Sequence, residues 1–182
     1  MQIHLDLHEN ATRSQILDTL LEAMSEEERT SFDYIMNHAV VPDKHHHSIV
    51  EVRESIDALA VPEQVKNDLH EVYEILAKAE AKVHGCKVEE THFHEVGNAN
   101  GIRNALAICA AFYVLAPQSV TATAIQLGEG EIECAHGVLS LPAPATAAII
   151  EGLPLAQTRL QGERVTPTSA ALIKHFVTSF IK

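Results

Sequence analysis

An unbroken apolar run from Ala105 to Ala116 is the feature that most constrains the fold of this chain. Its 12 residues are too few to span a bilayer, for which a helix needs roughly 20. Together with the residues before it, the run predicts an Ala-rich helix over Asn98–Leu115 that is apolar on almost every face. Because such a helix must be surrounded by other elements, we expect it at the centre of the core.

The charge balance excludes two classes of partner. The 182 residues include 13 Lys+Arg and 25 Asp+Glu, which gives a formal net charge of −12. A surface that binds nucleic acid or anionic lipid needs clustered basic side chains. We therefore expect neither nucleic acid nor a membrane as a partner.

The N-terminal segment and the cysteines indicate the cellular compartment. The N-terminal segment Met1–Asp6 lacks the basic region and apolar core of a signal peptide. The three cysteines, Cys86, Cys109 and Cys134, are odd in number and widely spaced, unlike a disulfide framework. We expect a cytoplasmic protein with reduced thiols.

Apolar residues at spacings of three and four predict a series of amphipathic helices before the apolar run. Their predicted boundary residues are Asn10 or Thr12, Ser25 with Glu28, Ser48 with Glu51, Pro62 and Gly85. Two more helices are predicted later in the chain, over Ala145–Glu151 and from Thr166 onward. Helices should therefore dominate the first two thirds.

Strand-like segments are shorter and lie mainly after Pro117. The segments that we predict as strands are Ile3–Leu7, Cys86–Val96, Val120–Ile125, Gly130–Cys134 and Leu153–Leu155. The third and fourth are predicted to pair with each other around Gly128–Gly130. The sequence therefore predicts an α+β chain that forms a single domain over residues 1–182, helix-rich in its N-terminal two thirds and with a small mixed or antiparallel sheet.

The sharpest candidate site is the segment Thr91–Gly97, which reads THFHEVG. In a strand, His92 and His94 would share one face, with Phe93 turned into the core. Two neighbouring imidazoles are the beginning of a nickel, zinc or copper site. If the strand ends there, Glu95 becomes a candidate ligand or base. A solvated edge strand with incidental histidines explains the same pattern.

Other histidines offer further candidate ligands. The internal run His45, His46 and His47 would gather a metal ion if it forms a loop, although a polar loop alone accounts for it. His136 and Cys134 would supply an imidazole and a thiolate from neighbouring positions. A buried cysteine and a turn histidine explain the second pair equally.

Two proline-containing segments predict helix N-termini that favour anions. In the segment Val165–Ser169, the hydroxyls of Thr166 and Thr168 add donors to the first-turn N–H groups. The segment Leu141–Ala147 begins a helix in the same way. Capping of the helix is the alternative role for these residues.

Five segments, taken together and in order, resemble the signatures of the LarC family of nickel insertion proteins. They are Glu80–Gly85, Val88–Gly97, Cys134–Leu139, Pro142–Ala147 and Gly162–Leu172. The His45–His47 run also lies where that family carries a His-rich loop. The resemblance extends over roughly residues 59–176.

The resemblance implies a chelatase-type reaction of the lyase class. A pyridinium mononucleotide with two thiocarboxylates receives Ni²⁺ and forms a carbon–nickel bond, driven in the family by a cytidine nucleotide. In this chain His92 and His94 would then be the primary nickel ligands, Glu95 a ligand or base, and His45–His47 a metal-gathering loop. His136 would be a further ligand, and Thr166 and Thr168 would bind the nucleotide phosphate.

Three departures from the family pattern keep alternatives open. The family has a Gly- and Ser-rich turn after the first strand, where this chain has His8–Arg13. It has acidic residues after the H-F-H-E-V-G motif, where this chain has Asn98, Asn100 and Asn104. The chain is also shorter than full-length members and lacks the C-terminal region associated with the cytidine nucleotide.

These departures predict a short form that needs a full-length or C-terminal-domain partner. The first alternative is a non-catalytic metal-binding or scaffolding paralogue that forms a homo-oligomer, since the apolar helix calls for extensive burial. The second is a zinc hydrolase that uses His92, His94 and Glu95. Zn²⁺ or another divalent ion in the purified protein is compatible with each of these readings.

Overall fold

The computed structural model describes residues 1–42, 48–93, 99–134 and 137–181. Seven α-helices are seen in these residues: α1 Arg13–Glu22, α2 Glu26–His38, α3 Ile49–Asp57, α4 Glu63–His84, α5 Ala99–Leu115, α6 Pro144–Ile150 and α7 Pro167–Phe176. The strands are β1 Gln2–Leu5, β2 Ser119–Ala122, β3 Ile125–Glu129, β4 Glu131–Cys134, β5 Gly137–Ser140, β6 Leu155–Gln161 and β7 Ser179–Phe180. This composition confirms the α+β class.

Helix α5 lies at the centre of the helical layer, as the apolar run predicts. It packs against α1, α2, α4 and α7, and all its residues from Ala105 to Phe112 are buried. The stacked rings of Phe112 and Phe176, with centroids 4.0 Å apart, join it to α7. Because its burial is achieved within one chain, α5 provides no structural reason for an oligomer, which stays a prediction.

The strands form three small sheets rather than the hairpin predicted around Gly128–Gly130. Strands β1, β2 and β7 make a parallel sheet with β2 in the middle, and β3 pairs in parallel with β6. Among the strands of the described residues, β4 and β5 form the one antiparallel pair. The predicted pairing of Val120–Ile125 with Gly130–Cys134 is therefore wrong. Strands β2 and β3 are buried along nearly their whole length, which is typical of parallel strands covered on both faces.

The predicted helix boundaries mostly agree with the structure, because capping depends on local sequence. Thr12 caps α1, and α2 and α3 each begin with a complete capping box. Gly85 ends α4 in the left-handed conformation at φ 65°. Pro62 is the residue before the first turn of α4 rather than the first helical residue.

The strand predicted over Cys86–Val96 is wrong for Val88–Glu90, whereas His92 does form an isolated β-bridge. Residues Val88–Glu90 form a short 3₁₀-helix instead. The Glu90 carboxylate accepts a hydrogen bond from the Lys87 N–H (3.2 Å), and the Thr91 hydroxyl donates to the Val88 carbonyl (2.6 Å). These side chains satisfy the backbone locally and replace the ladder of a strand.

Within the described residues, no helix is long and apolar enough to cross a membrane. The apolar face of each helix instead contributes to one continuous hydrophobic core.

Candidate functional site

A cavity of about 610 Å³ lies where the N-terminal ends of α1 and α7 meet the C-terminal end of α4 and the β4–β5 hairpin. The described residues that line it come from seven stretches of the chain: Arg13; Glu80, Val83 and His84; His92; Asn100, Gly101 and Asn104; Ile132, Glu133, Cys134 and Leu139; Ala143, Pro144 and Ala145; Glu163, Thr166, Pro167 and Thr168. Each of the five segments that resemble the LarC signatures contributes to this lining.

The last turn of α4 brings an acid and a base to the cavity. Glu80 and His84 are four residues apart, so they lie on the same face of the helix. His84 Nε2 lies 3.4 Å from Glu80 Oε2. A protonated His84 at this position also interacts favourably with the C-terminal end of the helix dipole.

His92 presents its Nε2 lone pair for coordination. Its Nδ1 lies 2.8 Å from the Glu90 carbonyl oxygen. A carbonyl oxygen only accepts, so Nδ1 carries the proton and donates it. In the neutral ring the free lone pair is then on Nε2, the arrangement in which a backbone acceptor orients a metal-binding imidazole.

Two contacts fix the backbone at His92. Phe93 is 2% exposed and meets the buried ring of Tyr73 edge-on, with centroids 5.9 Å apart. This confirms the prediction that Phe93 turns into the core. Ser48, which belongs to no strand, forms an isolated antiparallel bridge with His92. Ser48 is also the N-cap of α3, so the bridge is attached to a rigid helix start.

The β4–β5 hairpin forms the wall that carries the thiol. Cys134 is half-buried, and its Sγ lies 3.4 Å from the Gly137 carbonyl, to which the thiol donates. Ile132 and Leu139 face each other across the hairpin and add apolar lining. A soft sulfur in an apolar wall is compatible with nickel or zinc coordination.

At the start of α7 the two predicted threonines have different surroundings. The Thr166 hydroxyl accepts from the Ser169 N–H (3.2 Å), and the Ser169 hydroxyl accepts from the Thr166 N–H (2.9 Å), which completes a capping box. Thr168 is only 3% exposed, and its hydroxyl has no hydrogen-bond partner among the residues that the structure describes. Thr166 is thus a capping residue, and Thr168 has a hydroxyl free for a ligand.

The structure describes four of the predicted site residues and brings all four to one cavity: His92, Cys134, Thr166 and Thr168. The others lie outside the described residues: His45, His46, His47, His94, Glu95 and His136. Within the described ranges, no group of three or more His, Cys, Asp or Glu side chains is placed to hold a metal ion. The predicted ligand set is therefore untested by the geometry.

Sequence reasoning did not identify Arg13 as a site residue. It lies at the first position of α1 and ends the His8–Arg13 segment, which the sequence marks only as a departure from the family pattern. The fold brings it to Thr166. Asn100 and Asn104 were noted as replacements for acidic residues, and both prove to line the cavity. Glu80 and His84 lie in a segment that carried the resemblance, which was the available signal for their position.

Comparison with known proteins agrees with these observations. The nickel insertion protein family matches residues 4–182. A pyridinium-3,5-bisthiocarboxylic acid mononucleotide nickel insertion protein of Staphylococcus epidermidis is 41% identical over 145 residues, which are 80% of this chain and 37% of that protein. The proteins of the same description in Desulfitobacterium hafniense and Geobacillus kaustophilus are 37% and 36% identical, over 79% and 83% of this chain and 35% and 38% of theirs.

This chain thus spans less than two fifths of the length of the curated relatives that it matches. No solved structure matches it. The family match covers nearly the whole sequence, and the segments with the family signatures surround one cavity. The chain therefore belongs to the nickel insertion protein family.

Proposed function

We propose that this chain binds Ni²⁺ and presents it for insertion into a pyridinium-3,5-bisthiocarboxylic acid mononucleotide, the compound in the names of its relatives. His92 and His94 are the primary nickel ligands. His45, His46 and His47 gather the ion, and His136 with Cys134 completes its coordination during transfer. The observation that carries the proposal is the convergence of the family segments on one cavity that contains His92.

The hydrogen bond of His92 supports its role as a ligand. Because Nδ1 donates to the Glu90 carbonyl, the neutral ring has one available lone pair, on Nε2. Burial of the adjacent Phe93 restricts the backbone on which the imidazole is carried. A ligand fixed in this way has less conformational entropy to lose when it binds the ion.

The bridge between Ser48 and His92 supports the role of the His-rich run. Paired residues in an antiparallel bridge have Cα atoms roughly 4.5–5.5 Å apart. Ser48 directly follows His47 in the chain, so the run is covalently attached beside the first predicted nickel ligand. This connection supports the transfer of an ion from the run to His92 and His94.

The chemistry of insertion requires a base, and we assign this role to Glu95. When Ni²⁺ replaces hydrogen on a ring carbon, the carbon–hydrogen bond breaks, its electron pair forms the carbon–nickel bond, and a proton leaves. A carboxylate beside the ligands accepts that proton. The two thiocarboxylate sulfurs of the substrate are soft donors that draw nickel from imidazole ligands.

A nickel titration tests the metal-binding half of the proposal. The chelator-treated double variant His92→Ala/His94→Ala should lose affinity by roughly a hundredfold or more, since loss of an outer partner of a metal ligand already costs roughly 10- to 100-fold. The matched control is His38→Ala/His70→Ala, because these histidines bond Tyr34 and Asp57 away from the cavity. Equal nickel affinities in the two double variants would refute the assignment.

A conversion assay tests the activity. The purified chain, whose proposed compartment is the cytoplasm, is supplied with nickel, a cytidine nucleotide and the bisthiocarboxylate mononucleotide. The reaction is run with and without the region that its longer relatives possess. We propose that the chain acts as one domain over residues 1–182 and that turnover requires the added region. Absence of product in both reactions would instead support the metal-binding or scaffolding paralogue.

A further inference from the structure

The starts of α1 and α7 lie side by side at the cavity. Ala11 and Val165 form an isolated parallel bridge, and the Ala11 N–H donates to the Arg164 carbonyl at 2.8 Å. The residues that follow them, Thr12 and Thr166, are the N-caps of the two helices. The first-turn N–H groups and the positive dipole ends of both helices are thereby brought to one place.

Arg13 adds a full positive charge at this place. It is half-buried, lines the cavity, and has no hydrogen bond or ion pair within the described residues. It is also the only Lys or Arg side chain in the described lining, which contains the carboxylates of Glu80, Glu133 and Glu163. Burial raises the pKa of the Tyr73 hydroxyl well above its usual range, and the Arg13 charge partly opposes that rise, so this charge acts toward the interior.

The neighbouring Arg164 is engaged elsewhere. Its Nε and Nη2 donate to the Gln161 carbonyl at 3.0 and 2.8 Å, and its Nη1 donates to the Glu9 carbonyl at 3.5 Å. This guanidinium fastens the loop before α7 and does not line the cavity. Of the two arginines at the bridge, Arg13 is the one with unused donors.

Thr168 is the second observation that points to a ligand. Its side chain is almost fully buried in the lining of the cavity, and its hydroxyl has no partner in the described part of the chain. The hydroxyl oxygen of Thr168 is not fully enclosed by the protein, so a ligand in the cavity can reach it. An oxyanion at the α7 N-terminus would accept the hydrogen bond that Thr168 does not make to any described residue.

We propose that Arg13 and Thr168 bind the phosphate monoester of a pyridinium mononucleotide at the adjoining starts of α1 and α7. The proposal rests on the function proposed above and deepens it by assigning the phosphate of the substrate to a site distinct from the nickel ligands. Arg13 is then the residue that distinguishes the nucleotide from its nucleoside. Thr166 only caps α7.

The chemistry of the donors favours a phosphate over a metal ion. The guanidinium of Arg13 carries N–H donors and no acceptor, so it repels a cation and pairs with two oxygens of one anion. In an acidic chain with carboxylates in the same lining, an anionic ligand needs this charge near it. Loss of Arg13 should therefore remove most of the preference for a phosphorylated ligand.

The test is isothermal titration of the whole chain with nicotinic acid mononucleotide and, separately, with its riboside, which lacks the phosphate. The wild type should bind the mononucleotide more tightly by roughly ten- to a hundredfold, since charge-assisted hydrogen bonds have this effect. Arg13→Met should remove most of this preference. Arg29→Met is the matched control: it removes the same charge from α2, where Arg29 lies 3.6 Å from Asp33 and away from the cavity.

The results separate this proposal from the nickel proposal. Nickel affinity measured without nucleotide should not fall in Arg13→Met, because a positive charge is removed from the cavity. Failure of the wild type to bind nickel would refute the metal site alone. A wild type that binds both compounds equally or neither, or an Arg13→Met variant that keeps the preference, overturns the phosphate site. If Arg13→Met does not fold, Thr168→Val decides: a weakened preference supports the site and an unchanged one overturns it.

Discussion

Ser48 pairs with His92 across an isolated antiparallel bridge, so the residue that directly follows the His-rich run lies beside the first histidine of the H-F-H-E-V-G motif. Ser48 is also the N-cap of α3, where its hydroxyl and the Glu51 carboxylate form a capping box. A local helix start is thus attached directly to the candidate nickel ligand. The two functions of Ser48 can be separated by substitution.

The first prediction concerns this cap. Ser48→Ala should lower the free energy of unfolding by about 1 kcal/mol, the usual cost of losing an N-cap. It should also weaken nickel binding, because a frayed α3 start no longer holds the bridge beside His92. Ser25→Ala removes the same kind of capping box from α2 and serves as the control. Similar destabilisation of both variants in urea, with weaker nickel binding only for Ser48→Ala, is the expected result.

Cysteine reactivity gives the second prediction. Cys86 and Cys134 are half-buried and should react with a thiol reagent, whereas the fully buried Cys109 should not react in the folded protein. Nickel should slow the reaction of Cys134, which lines the cavity, and leave Cys86 unaffected. Mass spectrometry of the labelled peptides checks this, and equal rates at Cys134 with and without nickel would remove it from the coordination sphere.

The third prediction addresses Asn104, which lines the cavity where the family resemblance implies acidic residues. Asn104→Asp keeps the shape of the side chain and adds a negative charge. We expect it to tighten nickel binding by roughly three- to tenfold, because a partly screened charge contributes on the order of 1 kcal/mol. The control Asn67→Asp places the same charge on α4 at a residue that does not line the cavity.

The fourth prediction uses pH. Burial, and next the charge of Asp68, raises the pKa of the Cys109 thiol well above its value of 9.0 in an unfolded chain. A raised pKa in the folded state means that stability is complete below the unfolded pKa and falls as the pH rises above it. Cys109→Ala should therefore reduce the slope of unfolding free energy against pH above about pH 9. Parallel wild-type and variant profiles in that range would contradict the assignment.

The fifth prediction concerns the contact that positions the segment before α7. A Cβ on Gly128 would lie 2.0 Å from the Gly162 carbonyl oxygen, so Gly128→Ala must displace β3 from the loop after β6. We expect a loss of roughly 3 kcal/mol, at the upper end of the usual cost of overpacking, because the atom in the way belongs to the backbone. Gly152→Ala, at φ 83° with open space around it, should cost only about 1 kcal/mol. Thermal unfolding of the two variants measures the difference.

The accuracy of sequence-based prediction here follows the range of the interactions. The caps at Ser25, Ser48 and Gly85 depend on residues within one helical turn, and the structure confirms them. The parallel pairing of β1 with β2 joins residues about 117 positions apart, for instance Gln2 with Ser119, and no local pattern encodes it. Within the strand predicted over Cys86–Val96, Val88–Glu90 form a 3₁₀-helix instead, because side chains of Glu90 and Thr91 satisfy the backbone there.

In the candidate site, too, the sequence predicted local features but not contacts between distant residues. The spacing of His92 and Phe93 correctly predicted which of the two side chains is exposed and which is buried. The hydroxyls of Thr166 and Thr168 looked equivalent in the sequence, yet only the structure shows that the first completes a capping box. Arg13 is brought to the site by the bridge between Ala11 and Val165, a contact between distant parts of the chain that the sequence does not predict.

That bridge also determines when the cavity exists during synthesis. The walls of the cavity include Arg13, near the start of the chain, and Thr168, near its end. When synthesis has reached Val165, most of the histidines are present, but the wall that contains Thr168 is not. If nickel enters this cavity as we propose, loading requires that α7 has been synthesised and has folded against the start of α1.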